Sequence, residues 1–297
     1  MIRFVDRKVK ILPPSEIIGL VRNLVIWDSM VYDINRKQQI DNSKGSKEMK
    51  LVSLYSKKYK VGGRDIDFRG RLKLSSLFTY FQDVAGLHAE NLGVGMKTIQ
   101  EKYGVLWILV RIRVDVARYP LWEEEITIDT WPQQPNKLEF MRDFLVKDSQ
   151  DHILARAVST WTIIDRNTRR LKKTETIHPS FPPIIKERAI DCKLGKLKPK
   201  GQLEAFYKRT VGYSDIDLNE HLNNSRYVDF IMDSFSLEDH KNYNIESIEV
   251  NYSNEALPGN TIVLCKDLSE IDSNCIYIEG INGKDDKLIF KSQVKFN

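Results

Sequence analysis

The 297-residue chain has no apolar run of the roughly 20 residues that a membrane helix needs. Its nearest approach, residues 17–31, is interrupted by Arg22, Asn23 and Asp28, which argues against a span. A secretory signal is equally ill-supported, because Pro13 and Pro14 precede the apolar part and no small-residue cleavage site follows. Cysteine is scarce: Cys192, Cys265 and Cys275 are scattered, odd in number and without metal spacing. That pattern suits reduced thiols in a cytoplasm rather than a disulfide framework. The histidines form no close pair, so zinc is not indicated and no cofactor is called for. Charge of one sign is also in short supply, with a net charge of only +5. Its two basic clusters are Arg166, Arg169, Arg170, Lys172 and Lys173, then Lys193, Lys196, Lys198 and Lys200. Neither is interleaved with aromatics or set in a nucleic-acid reading motif, so no nucleic acid is expected; a small acidic protein partner fits at least as well.

What is present is a globular composition, 41% hydrophobic and 29% charged, in a chain long enough for two modest domains. Residues 1–48 stand apart: an apolar segment, then a polar tail from Asn35 to Glu48. They are expected to form a poorly ordered extension, with Met49 as an alternative start. Behind it the pattern predicts a strand at 53–62, a polar loop and a helix carrying Leu77, Phe81, Val84, Ala85 and His88. Strands at 105–117, 125–131, 138–146 and 153–164 follow, with two-residue alternation. A Pro- and Lys-rich stretch at 174–201 reads as a linker or crossover. The same order then returns: strand 203–213, polar loop, helix 225–235, and strands at 245–252, 261–267, 275–281 and 287–296. One strand, one helix and four strands, stated twice, is an internal repeat. The expected domains are 49–178 and 203–297, with 179–202 between them.

The two polar loops align: D-I-D-F-R-G-R-L at Asp65–Leu72 matches D-I-D-L-N-E-H-L at Asp215–Leu222. Only the second copy carries an amide and an imidazole, since Arg69 and Arg71 stand where Asn219 and His221 do. Asp217, Asn219 and His221 alternate, so in extended chain they would share one face. Asn223 and Asn224 then supply the residue type that caps a helix. A base, an orienting amide, an imidazole and a helix N-terminus are parts used to hydrolyse an acyl bond. The plainer alternative is a polar turn with an Asn cap, but three such groups on one face exceed what capping requires. For the first copy, the structural role is the preferred one.

The pattern D-x-N-x-H-x-N-N followed by a tyrosine resembles the second domain of acyl-acyl carrier protein thioesterases. The similarity extends from about Met49 to the C-terminus, through T-W-P at Thr130–Pro132, M-R-D-F at Met141–Phe144, S-T-W at Ser159–Trp161 and N-Y-S-N-E-A at Asn251–Ala256. It implies an α+β fold of two tandem hotdog units, each a long helix against a curved antiparallel sheet, packed as an intramolecular pseudo-dimer. It implies a site of Asp217, Asn219, His221 and Glu255, a fatty acyl chain on acyl carrier protein as partner, and room for a homodimer. The plant enzymes carry a cysteine directly after that glutamate; Ala256 stands here, which counts against a thiol mechanism. By this resemblance the acyl chain would lie beside the second helix, N–H groups near Asn223–Ser225 would polarise the carbonyl, and Glu255 or Asp217 would activate water. Direct carboxylate attack is the competing route. An acyl-CoA thioesterase or dehydratase, and a non-catalytic acyl-binding module, remain the alternatives. Arg169, Arg170 and Lys172 are the expected carrier-docking residues, from clustering alone.

Overall fold

The computed structural model describes residues 51–177 and 182–297. The expected disorder of 1–48 lies outside them. The first half contains β1 (Tyr55–Lys60), α1 (Leu74–Asn91), α2 (Met96–Tyr103), β2 (Val105–Val116), β3 (Glu125–Pro132), β4 (Phe140–Lys147), β5 (Ile153–Asp165) and the two-residue β6 (Leu171–Lys172). The second contains β7 (Glu204–Thr210), α3 (Asn224–Asp233), α4 (Leu237–Asn242), β8 (Ile245–Tyr252), β9 (Thr261–Asp267), β10 (Cys275–Asn282) and β11 (Leu288–Phe296). No described helix is long and apolar enough to cross a membrane.

All the described strands belong to one sheet, ordered β1-β3-β4-β5-β2-β8-β11-β10-β9-β7, with β6 added on β5. Read outward from its middle, each half has the same order, so the repeat predicted from sequence is a structural repeat. The halves join where Arg111–Asp115 of β2 pair antiparallel with Ser247–Asn251 of β8, and α1 also packs against α3. Each helix exists to cover one face of its half-sheet. On α1, Leu74, Leu77, Phe78, Phe81, Val84, Ala85 and His88 recur at helical spacing and are all buried. Phe81 meets Phe144 of β4 with ring centroids 4.8 Å apart. Burying each of the Leu, Phe and Val side chains contributes about 1.5–3 kcal/mol. Gly93, at φ +70°, lets the chain turn away just past the helix end.

The opposite face of the first half-sheet is covered by the supposed linker. Ala189 joins Trp131 and Val158 in a small core, with Ile185, Ile190 and Leu194 against it. The fully buried Asp143 carboxylate holds Arg188 at 3.1 Å and accepts the Ala189 N–H at 2.8 Å. Sequence showed no period here because an extended strap on a sheet face needs none. Two short helices also escaped the sequence pattern. Only Ile99 of α2 is fully buried, and α4 buries nothing, so neither has an apolar stripe to detect. The Ser236/Asp239 capping box that starts α4 was a readable signal.

Candidate active site

Asp217, Asn219, His221 and Glu255 all line one cavity of about 510 Å³. The sequence expected the first three to converge because they alternate in extended chain; the structure brings them together differently. Residues 217–221 form a tight turn, with the Asp217 N–H donating to the His221 carbonyl at 2.9 Å and the Glu220 N–H to the Asp217 carbonyl at 3.0 Å. Glu220 takes φ +62°, where the first copy has Gly70 at +72°. Closure of the turn, rather than strand alternation, sets Asp217 beside His221. One oxygen of Asp217 accepts the Asn219 N–H at 2.8 Å. Its second oxygen has no protein partner among the described residues.

Glu255 arrives from the loop after β8. Its Oε2 lies 3.4 Å from His221 Nε2, and its Oε1 accepts from Arg169 Nη2. Arg169 belongs to the first half, on the turn between β5 and β6, whose Asp165 side chain accepts the Asn167 and Thr168 N–H groups. Those bonds, led by Thr168, together with Lys172 hold the Asp165 carboxyl down at about 2. Trp107, Ile108, Leu109 and Ile164 of the first half complete the wall. The site therefore forms between the halves. Arg169, expected as a docking residue, pairs with Glu255, and Lys172 pairs with Asp165 at 3.2 Å.

Behind the loop, Ala256 is fully buried, so its side chain is not part of the wall that Glu255 and Leu257 flank. Its N–H donates to the Tyr227 hydroxyl at 3.3 Å, and its carbonyl accepts the Leu222 N–H at 2.9 Å. Burial, with the charges of Glu255 and Asp217 nearby, keeps the Tyr227 hydroxyl protonated far above its ordinary range. Tyr227 packs edge-on against Phe290 at 5.6 Å, and Phe290 fits only because residue 280 is glycine: a Cβ there would overlap its ring. Tyr227 was visible in the motif only as a trailing tyrosine; Arg169 gave no signal except charge.

The expected row of N–H donors at the start of α3 is mostly occupied. The Asn223 N–H goes to the Asp215 carbonyl at 2.9 Å, and the Ser225 N–H is capped by Asn223 Oδ1 at 2.9 Å. Asn224, which lines the cavity, is left with an N–H that has no protein partner among the described residues. Its carbonyl accepts from the Tyr252 hydroxyl at 2.9 Å, which anchors the next peptide along.

The first copy repeats the scaffold with other chemistry. The Leu72 N–H donates to the Pro120 carbonyl as Leu222 does to Ala256, which makes Tyr119 the counterpart of Glu255 and Arg71 that of His221. Where the second copy sets imidazole against carboxylate, the first lays the Arg71 guanidinium over the Tyr119 ring at 4.8 Å. Asp67 accepts the N–H groups of both Arg69 and Arg71, at 2.8 and 3.0 Å. Both turns line cavities, but the first presents an Asp–Arg cluster under a tyrosine ring where the second presents an imidazole and a carboxylate.

An apolar cavity lies beside α1, while residues of α3 line the cavity that holds His221. The apolar cavity measures about 180 Å³, is lined by Ala85, Gly86, Ala89, Phe140 and Trp161 among others, and shares Trp107 with the cavity that holds His221.

The acyl-ACP thioesterase N-terminal domain matches residues 52–177, and the acyl-ACP thioesterase C-terminal domain matches residues 200–297. A chloroplastic oleoyl-acyl carrier protein thioesterase of Coriandrum sativum is 26% identical over 68% of this chain and 59% of its own length. A chloroplastic palmitoyl-acyl carrier protein thioesterase of Gossypium hirsutum is 29% identical over 74% and 56%. The chain thus spans less than two thirds of the length of these curated relatives. The crystal structure of an acyl-ACP thioesterase from Bacteroides thetaiotaomicron superposes with a TM-score of 0.75 at 26% identity, covering 82% of this chain and 98% of that one. The 12:0-ACP thioesterase of Umbellularia californica shares the fold, with a TM-score of 0.71 at 21% identity over 83% of this chain and 98% of its own. With both halves matched in order, the chain belongs to the acyl-ACP thioesterase family.

Proposed function

We propose that the protein hydrolyses the thioester of a fatty acyl chain carried on acyl carrier protein, releasing the free acid. The observation that carries this reading is the His221–Glu255 pair, with Asp217 and Asn219 in the same wall, next to an apolar cavity reached at Trp107. A binding module needs the apolar cavity but no acid–base set. The acyl chain lies beside α1, the carbonyl points to the Asn224 N–H, and negative charge developing on its oxygen is favoured at that helix end. Asp217 is the carboxylate that activates water or attacks directly, because of the two site carboxylates it alone keeps an oxygen without a partner among the described residues. Both oxygens of Glu255 are engaged, one by Arg169, so Glu255 acts through His221, and Asn219 holds the turn. The expected partner is the carrier protein, in a cytoplasm where the three free thiols stay reduced. A homodimer is not needed to complete the site, since both walls come from one chain.

Free-thiol release from acyl-carrier-protein and acyl-CoA thioesters, measured side by side, tests the reading. Faster turnover of the carrier-bound substrate is expected, with the difference shrinking as salt rises. Equal rates on both would point to a CoA thioesterase, and no release from either would overturn the proposal. The docking role passes to Arg170, because reversing Arg169 would disturb Glu255 itself.

Two further outcomes follow from the same reading. A chain beginning at Met49 is expected to fold and to keep its turnover, with 49–178 and 203–297 as the two units and 179–202 between them. Insolubility of that shortened chain counts against treating 1–48 as dispensable. Asp67→Asn is expected to change turnover by less than about twofold, since the first-copy turn holds no acid–base pair. A loss comparable with that of Asp217→Asn would mean that both copies contribute to chemistry.

A further inference from the structure

The apolar cavity beside α1 has a polar far end that a plain hydrocarbon chain would leave unsatisfied. Gln82 lines it, and the Gln82 Nε2 atom is buried without a hydrogen-bond partner. Arg142 lines it too, and the described residues give this guanidinium no ion pair. Its Nη1 donates to His88 Nδ1 at 3.0 Å and to Thr130 Oγ1 at 3.2 Å, both neutral acceptors. Its remaining N–H groups have no such partner. Burial unrelieved by any carboxylate pulls the Arg142 side chain down to about 10. A buried donor without an acceptor is costly and uncommon, and a partly buried cation facing a cavity with no anion beside it is open to an acceptor oxygen.

These groups stand away from the chemistry. Trp107, shared with the catalytic cavity, meets Phe140 edge-on at 4.8 Å, and Arg142 follows two residues later on the same face of β4, roughly 7 Å further along. On α1, Gln82 lies one turn before Gly86 and two before Ala89, so the helix side of the cavity runs the same way. The chain would thus pass Trp107 and Phe140 first and reach Gln82 and Arg142 at depth.

We propose that this cavity selects acyl chains carrying a hydrogen-bond-accepting oxygen at the depth of Gln82 and Arg142: a hydroxyl, an oxo group or, as the charged extreme of the same chemistry, a terminal carboxylate. The proposal rests on the reading of this cavity as the acyl slot. Gln82 and the free edge of Arg142 converge as donors on that oxygen, while the aromatic walls exclude water and make a misplaced oxygen unfavourable. A plain chain of equal length binds without satisfying either group.

Trp107 and Trp161 both line the cavity, so their fluorescence reports occupancy independently of catalysis. The test titrates the full chain with free fatty acids of one length: the unsubstituted acid, its positional hydroxy and oxo isomers, and the diacid. At least one oxygenated acid is expected to bind about tenfold or more tightly than the plain acid. Gln82→Leu should abolish that preference by weakening the oxygenated acid and tightening the plain one; Arg142→Met should act in the same direction. Wild-type protein that binds every oxygenated acid no better than the plain one overturns the proposal, as does a preference that survives Gln82→Leu. Hydrolysis of plain acyl thioesters, measured in parallel, separates the two readings: activity without oxygen preference sinks only this inference. Preference without any hydrolysis sinks only the thioesterase proposal.

Discussion

Asp217→Asn, His221→Ala and Glu255→Gln are each expected to lower thioester turnover by about 10²–10⁴-fold, the usual contribution of a positioned acid–base group. The geometry says why each should matter on its own. Asp217→Asn removes the carboxylate whose free oxygen lines the cavity while keeping the turn, since an amide oxygen still accepts the Asn219 N–H. His221→Ala breaks the contact to Glu255, and Glu255→Gln keeps its shape but removes the charge that faces both His221 and Arg169. The three act as one unit, so a double variant should lose little more than its worse single parent. Ala256→Cys should not rescue Glu255→Gln, because that side chain is buried behind the wall. Thermal melts must accompany each variant, as a folding defect would imitate a catalytic one. Retention of near wild-type hydrolysis by folded Asp217→Asn and Glu255→Gln together would reduce the loop to a capped turn.

The second large effect is on stability in acid, and it comes from His88. The ring is fully buried, stacked on Tyr55 at 5.6 Å, with Nε2 bonded to the Val52 carbonyl at 2.8 Å. Its Nδ1 accepts from the Arg142 guanidinium. A second proton would therefore sit on the atom that faces a cation. Burial first, and Arg142 second, lower its pKa to about 4 from the ordinary 6.5. Between those values the unfolded chain takes up a proton that the folded chain refuses. The stabilisation is therefore complete above the upper value and drains away as pH falls toward the lower one. The full shift corresponds to about 3 kcal/mol. Urea unfolding at pH 7, 5.5 and 4 should show wild type losing its advantage over His88→Gln by about that amount. A stability gap between the two proteins that stays constant across this range would show that His88 is not the sensor.

Much of this molecule is legible from local sequence, and the reason is periodicity. Strands β8 and β9 lie at the bounds read from the repeated element order, and α1 runs along the stripe from Leu77 to His88. Each buries one face, and a one-faced element writes its period into the chain. The duplication was readable for the same reason, and the Asp217–Asn219–His221 loop because its residue types exceed what a turn needs. Elements that bury little or lie flat left no such trace: α4, the 182–200 strap and the β5–β6 turn. The chemistry that depends on long-range contact was therefore decided only in three dimensions. Arg169 looked like surface charge until the fold brought it across the pseudo-twofold join onto Glu255. Tyr119 and Arg71 looked unrelated until the repeated hydrogen bonds at Leu72 and Leu222 aligned them with Glu255 and His221. Gln82 and Arg142 read as ordinary polar residues, one on a helix and one on a strand. Local sequence specifies what each element must bury; only the packing of one half against the other, and of helix on sheet, determines which polar groups are left facing a cavity.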